Sequence, residues 1–112
     1  MAAITEAGNY PTRTVHLSDR PEHVQTHVVV EVYYGDQWHL YDPTFGVSFL
    51  DKQGAVASYK QIRLDPSLVT PETFRGMAAE TVRGIMEWMP KAFGSGLHQV
   101  YYATKDEASA AW

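Results

Sequence analysis

Residues 27–46 read His-Val-Val-Val-Glu-Val-Tyr-Tyr-Gly-Asp-Gln-Trp-His-Leu-Tyr-Asp-Pro-Thr-Phe-Gly, and this stretch decides the fold. Val28, Val29, Val30, Val32, Tyr33 and Tyr34 form a β-branched and aromatic run suited to a pleated, half-buried surface. Trp38, Leu40 and Tyr41 form a second, shorter run. Gly35-Asp36 between them suits a two-residue hairpin turn with glycine at the first central position, where φ is positive.

A register follows from that turn. Tyr34 pairs with Gln37, Tyr33 with Trp38, Glu31 with Leu40 and Val29 with Asp42. Side chains alternate between faces, so His27, Val29, Glu31 and Tyr33 share one face with Trp38, Leu40 and Asp42. His27 and Asp42 become diagonal neighbours, about 7–8 Å apart at the backbone, from where a carboxylate reaches an imidazole. A three-residue loop would slip the pairing by one and set the two residues on opposite faces. A histidine oriented by an aspartate is two-thirds of a nucleophile–histidine–acid triad, in which the acid fixes the tautomer and stabilises the imidazolium.

The same residues resemble the His/Asp half of transglutaminase-like proteins, a superfamily with a papain-like cysteine-enzyme fold. There a histidine opens a strand ending in an acidic-aromatic sequence, here His27, Glu31, Val32 and Tyr33. A tryptophan follows the turn, here Trp38, and the acid stands in an Asp-Pro-Thr sequence, here Asp42-Pro43-Thr44. Tyr10-Pro11-Thr12-Arg13-Thr14-Val15 is similar to the family's preceding strand. The resemblance covers residues 7–50 best. It implies acyl transfer or amide hydrolysis through a thioester, with His27 and Asp42 catalytic and Glu31, Tyr33 and Trp38 site-wall or structural. It implies no cofactor, and a protein or peptide substrate for the intact domain.

The chain departs from that pattern in one respect: it contains no cysteine. The family's nucleophile opens a helix ending just before the segment similar to Gly8–Val15, and the few residues ahead of Gly8 are too short for it. The expectation is therefore a partial domain spanning residues 1–112, catalytically incomplete alone. The alternative is a non-catalytic binding or assembly module of the same fold. Half of such a fold would leave an apolar face uncovered, so a homodimer or a partner segment supplying the missing helix is expected.

Composition narrows the classes. At 112 residues, with 45% hydrophobic and 20% charged residues, the chain reads as one small globular domain or part of one, and not a disordered segment. A net charge of −4 with little local basic density argues against a nucleic-acid surface. Without cysteine there are no disulfides and no thiolate metal sites. No signal-like segment or apolar run of membrane-spanning length is visible, so a cytoplasmic protein without membrane contact is expected.

Beyond the hairpin, Met1–Ala7 reads as the end of a helix stopped by Gly8-Asn9, Arg13–Leu17 as a strand and Ser18–Gln25 as a polar connection. Val47–Leu50 reads as a short extended piece. Val56, Tyr59 and Ile62 suggest one or two helical turns. Helical residues are expected over 65–90, with the clearest helix from Pro71 to Met89: Thr70 is its N-cap, Phe74, Met77, Ala78, Val82, Ile85, Met86 and Met89 its apolar stripe, and Pro90 its end. Gln99–Ala103 reads as a last strand and residues 104–112 as a loose tail. The fold class is thus α+β, an antiparallel sheet with a long C-terminal amphipathic helix. His23, His27 and Glu31 would suit a metal on a helix, but on a strand they spread about 13 Å over four residues, so no metal is expected.

Overall fold

The chain reverses at Gly35 and Asp36 with φ of 58° and 62°. Two consecutive positive φ values define the primed turn whose twist matches the flanking strands. The sequence requires a positive φ of glycine alone; Asp36 shares it, being one of the few side chains that tolerate this region. The expected register results, with Tyr34 opposite Gln37, Tyr33 opposite Trp38, Glu31 opposite Leu40 and Val30 opposite Tyr41.

The computed structural model describes residues 10–18 and 27–102, and at 97 and 99–102 the backbone alone. The expected helix end at Met1–Ala7, the connection bearing His23 and the tail at 104–112 lie outside the described residues. The fold is α+β. Strands β1 (Thr12–Ser18), β2 (His27–Tyr34), β3 (Gln37–Asp42), β4 (Val47–Ser48) and β5 (Leu97–Tyr102) form an antiparallel sheet in the order β4-β3-β2-β1-β5. Among the described residues, two helices, α1 (Tyr59–Leu64) and α2 (Ala79–Gly94), and two 3-10 helices, Pro66–Leu68 and Pro71–Phe74, accompany it. Among the described residues no helix is long and apolar enough to cross a membrane.

The core lies on the sheet face that carries Val15, Leu17, Val29 and Leu40, against which Ile85, Met89, Ala92 and Phe93 of α2 pack. Phe49 meets Phe93 edge-on with ring centroids 5.5 Å apart, and meets Phe74 at 6.3 Å. Helix α1 starts at Ser58, whose hydroxyl accepts from the Gln61 amide while the Gln61 side chain accepts from the Ser58 amide. Its Tyr59 and Ile62 are buried, as their spacing suggests.

The long helix differs from expectation at both ends. Pro71–Phe74 is a 3-10 helix, not the first turn of α2. Arg75 leaves helical geometry with ψ of 137°, and Gly76 turns the chain with φ of 95°. Phe74 stays buried and Met77 still packs against the core, so most of the apolar stripe is kept while the helix is broken beneath it, and Ala78 alone of its members is exposed. Pro90 does not end α2, which runs on to Gly94. A proline inside a helix removes one donor and crowds the preceding turn. Here Met89, Ala92 and Phe93 beside it are all fully buried, and that burial outweighs the lost bond. At Gly94 a Cβ would sit 3.0 Å from Pro66 Cγ, so glycine lets the end of α2 close on the first 3-10 helix.

Arg13 and Glu31 form a charge pair buried within this core. Arg13 Nε donates to Glu31 Oε1 at 2.8 Å and the Tyr59 amide donates to Glu31 Oε2 at 2.7 Å. The Arg13 guanidinium also lies 3.7 Å above the Trp38 ring. Burial pushes the Glu31 carboxyl above its ordinary 4.5, while the Tyr59 amide and Arg13 pull it back down. Removing one member of such a pair strands a charge. Arg13→Met is therefore expected to lose about 3–5 kcal/mol of stability at neutral pH, read from urea unfolding. A folded value raised above the unfolded one adds stability that is present below pH 4.5 and lost as pH rises through the folded value. The deficit of Arg13→Met relative to wild type should accordingly shrink as pH falls through the raised folded value of Glu31, and be smallest below pH 4.5.

Candidate functional site

His27 opens β2 and Asp42 closes β3, so the register brings the ends of two strands together on the core face. His27 Nε2 and Asp42 Oδ2 are 2.6 Å apart, with the two side chains 9% and 0% exposed. That separation is short even for a charge-assisted hydrogen bond in a nearly dry setting. An ionised carboxylate only accepts, so Nε2 carries the hydrogen and the lone pair of the neutral ring sits on Nδ1. Among the described residues Asp42 is the ring's hydrogen-bond partner and Nδ1 has none.

Asp42 has a second task. Its Oδ1 accepts from the Phe45 amide at 3.1 Å, and its backbone carbonyl accepts from the Gly46 amide at 2.8 Å. This closes the Pro43–Gly46 turn as an aspartate side chain characteristically does. The same turn lays the Phe45 ring against His27, with centroids 5.4 Å apart and planes 28° apart. Trp88 of α2 closes the other side edge-on at 5.2 Å and 68°. The imidazole is held by one carboxylate and two aromatic walls, so its free nitrogen has a defined direction.

The remaining expected residues have structural surroundings. Glu31 uses both oxygens on Arg13 and Tyr59, and takes no part in the His27–Asp42 contact. Tyr33 meets Trp38 edge-on at 5.2 Å, as opposing positions in the register require. Trp38 lies beneath the Arg13 guanidinium. Among the described residues no group of three or more metal-ligating side chains is placed to hold an ion.

His39 and His98 lie away from the pair. His39, on the opposite face, stacks flat on Tyr34 at 3.6 Å and 7°. The Tyr34 hydroxyl meets that of Tyr41, and burial with this hydrogen bond pushes the Tyr41 phenol up to about 12. His98 Nδ1 meets the Tyr59 hydroxyl at 2.9 Å, and burial pushes the Tyr59 phenol up to about 12 against the pull of Arg63.

Reading the sequence missed Phe45 and Trp88. Phe45 was accessible in principle, standing three residues after an aspartate that opens a turn. Trp88 carried no such signal, because it sits beside the apolar stripe and reaches His27 only through the packing of α2. No family model, curated protein or solved structure matches the chain.

The geometry predicts a nitrogen-specific spectrum. In ring ¹⁵N NMR at alkaline pH, His27 should populate the tautomer with hydrogen on Nε2. Asp42→Asn, which replaces a pure acceptor with an amide able to donate, should move that population toward Nδ1–H. Identical tautomer populations in the two proteins would mean that the contact does not orient the ring.

Proposed function

We propose that His27 and Asp42 are the base and the orienting acid of a transglutaminase-like cysteine acyltransferase or amide hydrolase, whose thiol lies outside these residues. The observation that supports this reading is the bond from Nε2 to Asp42, which leaves Nδ1 as the proton acceptor. In that scheme Nδ1 takes the proton of a cysteine thiol, and the thiolate attacks an amide carbonyl to form a tetrahedral adduct. As the adduct collapses to a thioester, the protonated imidazole delivers its proton to the leaving amine. A second nucleophile, an amine or water, is deprotonated by Nδ1 and releases the acyl group from sulfur. Asp42 stabilises the imidazolium in both halves without itself taking the proton. Phe45 and Trp88 exclude water from the bond that orients the ring.

The lack of any cysteine favours a second reading, a binding or assembly module that keeps this architecture without the chemistry. The two differ in the residues encoded ahead of Met1: a helix opening on a cysteine supports the enzyme, and unrelated sequence or a stop codon supports the module. For the 112 residues alone the expected result is no thiol-dependent release of ammonia from a glutaminyl peptide and no capture of the acyl group by hydroxylamine. Turnover well above the uncatalysed rate, lost in His27→Ala, would overturn the cysteine mechanism and demand a different nucleophile.

A further inference from the structure

Helix α2 is held unequally along its length. In its second half Met89, Ala92 and Phe93 are fully buried and Gly94 closes on Pro66. Just past its end the Ser95 hydroxyl donates to the Ser18 carbonyl of β1 at 2.5 Å. Ahead of Met89 the same helix buries one side chain, Ile85, while Ala79, Glu80, Thr81, Arg83 and Glu87 are exposed. Met77, Val82, Met86 and Trp88 are only partly buried against the core. The N-cap is Ala78, which has no side-chain oxygen to accept from the first-turn amides.

Two weak points bound that first half. Pro90 has no N–H to donate to the Met86 carbonyl, so the helical ladder lacks a rung beside Trp88. At the other end Gly76 turns the chain with a φ of 95°, and a Cβ there would meet nothing within 4 Å. A residue without a side chain, in open space, is free to change its dihedrals. Trp88 is carried by this loosely held half. Among the described residues, its ring and that of Phe45 enclose the His27 imidazole, whose side chain is 9% exposed. Phe45 is tied through its amide to Asp42, the residue that also holds the imidazole. One wall is thus anchored to the site and the other is not.

We propose that residues 77–88 form a lid over His27, which swings on Gly76 and Pro90 and lifts the Trp88 ring from the imidazole while residues 89–95 stay on the sheet. Segments open locally where buried contacts are few, and helices bend where a ladder bond is missing. The grip of Glu31 does not oppose this movement, because it holds the start of α1 and not α2. As a movement the lid stands on its own geometry. As a gate that admits a thiol and an acyl substrate to Nδ1, it rests on the reading of His27 and Asp42 as base and orienting acid.

Amide hydrogen exchange and chemical modification of the whole chain test it. Diethyl pyrocarbonate transfers an ethoxycarbonyl group to an unprotonated imidazole nitrogen, and peptide mass spectrometry reads the product at His27. In the wild type the amides of residues 82–88 are expected to exchange at least about tenfold faster than those of Val29 and Val32 in β2, and His27 to react more slowly than N-acetylhistidine. Pro90→Ala restores the missing donor with a strong helix former. It should slow the exchange of residues 82–88 relative to β2, and the modification of His27, each by about tenfold. Trp88→Leu keeps the helix but removes the wall, and should speed the modification several-fold. Exchange at 82–88 no faster than in β2, or a Pro90→Ala protein in which either rate is unchanged, would overturn the lid. These rates need neither a thiol nor turnover, and the tautomer populations test the His27–Asp42 bond separately, so either reading can fail alone.

Discussion

Two residues with positive φ, Gly35 and Asp36, determine which side chains of this sheet are inside. A two-residue reversal allows one register, and in a strand the register sets the face of every residue on both arms. With it, Val29, Glu31 and Leu40 turn toward the helices, and His27 and Asp42 meet at the open end of the same hairpin. One extra residue in the turn would set His27 and Val29 on the opposite face from Leu40 and Asp42, splitting the apolar set and the imidazole–carboxylate pair alike. Core and candidate site therefore share a single geometric condition, and neither can be altered at the turn without the other.

Two carboxylates extend that condition into three dimensions, each by using its two oxygens on different parts of the chain. Asp42 joins the imidazole to the Pro43–Gly46 turn and so places Phe45. Glu31 joins β1 to the start of α1 through Arg13 and the Tyr59 amide. The first stands at the edge of the core and leaves an imidazole nitrogen for other partners. The second is sealed, with both its oxygens occupied by protein donors, which is why an acidic residue on the same strand and face as His27 has a structural part.

The hairpin, its register and the His27–Asp42 contact were legible because all three depend on neighbours in sequence: a turn dipeptide, alternation and strand ends. The α+β class was legible for the same reason. The course of residues 71–94 was not. The apolar spacing from Phe74 to Met89 does not distinguish one helix from a 3-10 turn, a glycine break and a helix, since Phe74, Ile85 and Met89 are buried with the break in place. At Pro90 a local rule pointed to a stop, and the burial of Met89, Ala92 and Phe93 overrode it. The partner of Arg13 was not legible either, because the pairing of β1 with β2 sets it opposite Glu31. Trp88 was invisible as a wall of the site because it reaches His27 from a helix far along the chain.

Glu31 carries one more consequence, for how the two layers can move. Apolar surfaces glide over one another at modest cost, since a methyl group is nearly as well placed a fraction of an ångström away. A carboxylate gripped at 2.8 and 2.7 Å by donors from a strand and from a helix start tolerates no such drift. It acts as a dowel between sheet and helices, so the layers should open as a unit or remain in place, without intermediate slippage. A platform of that stiffness is what a hydrogen bond as short as that between His27 and Asp42 needs beneath it.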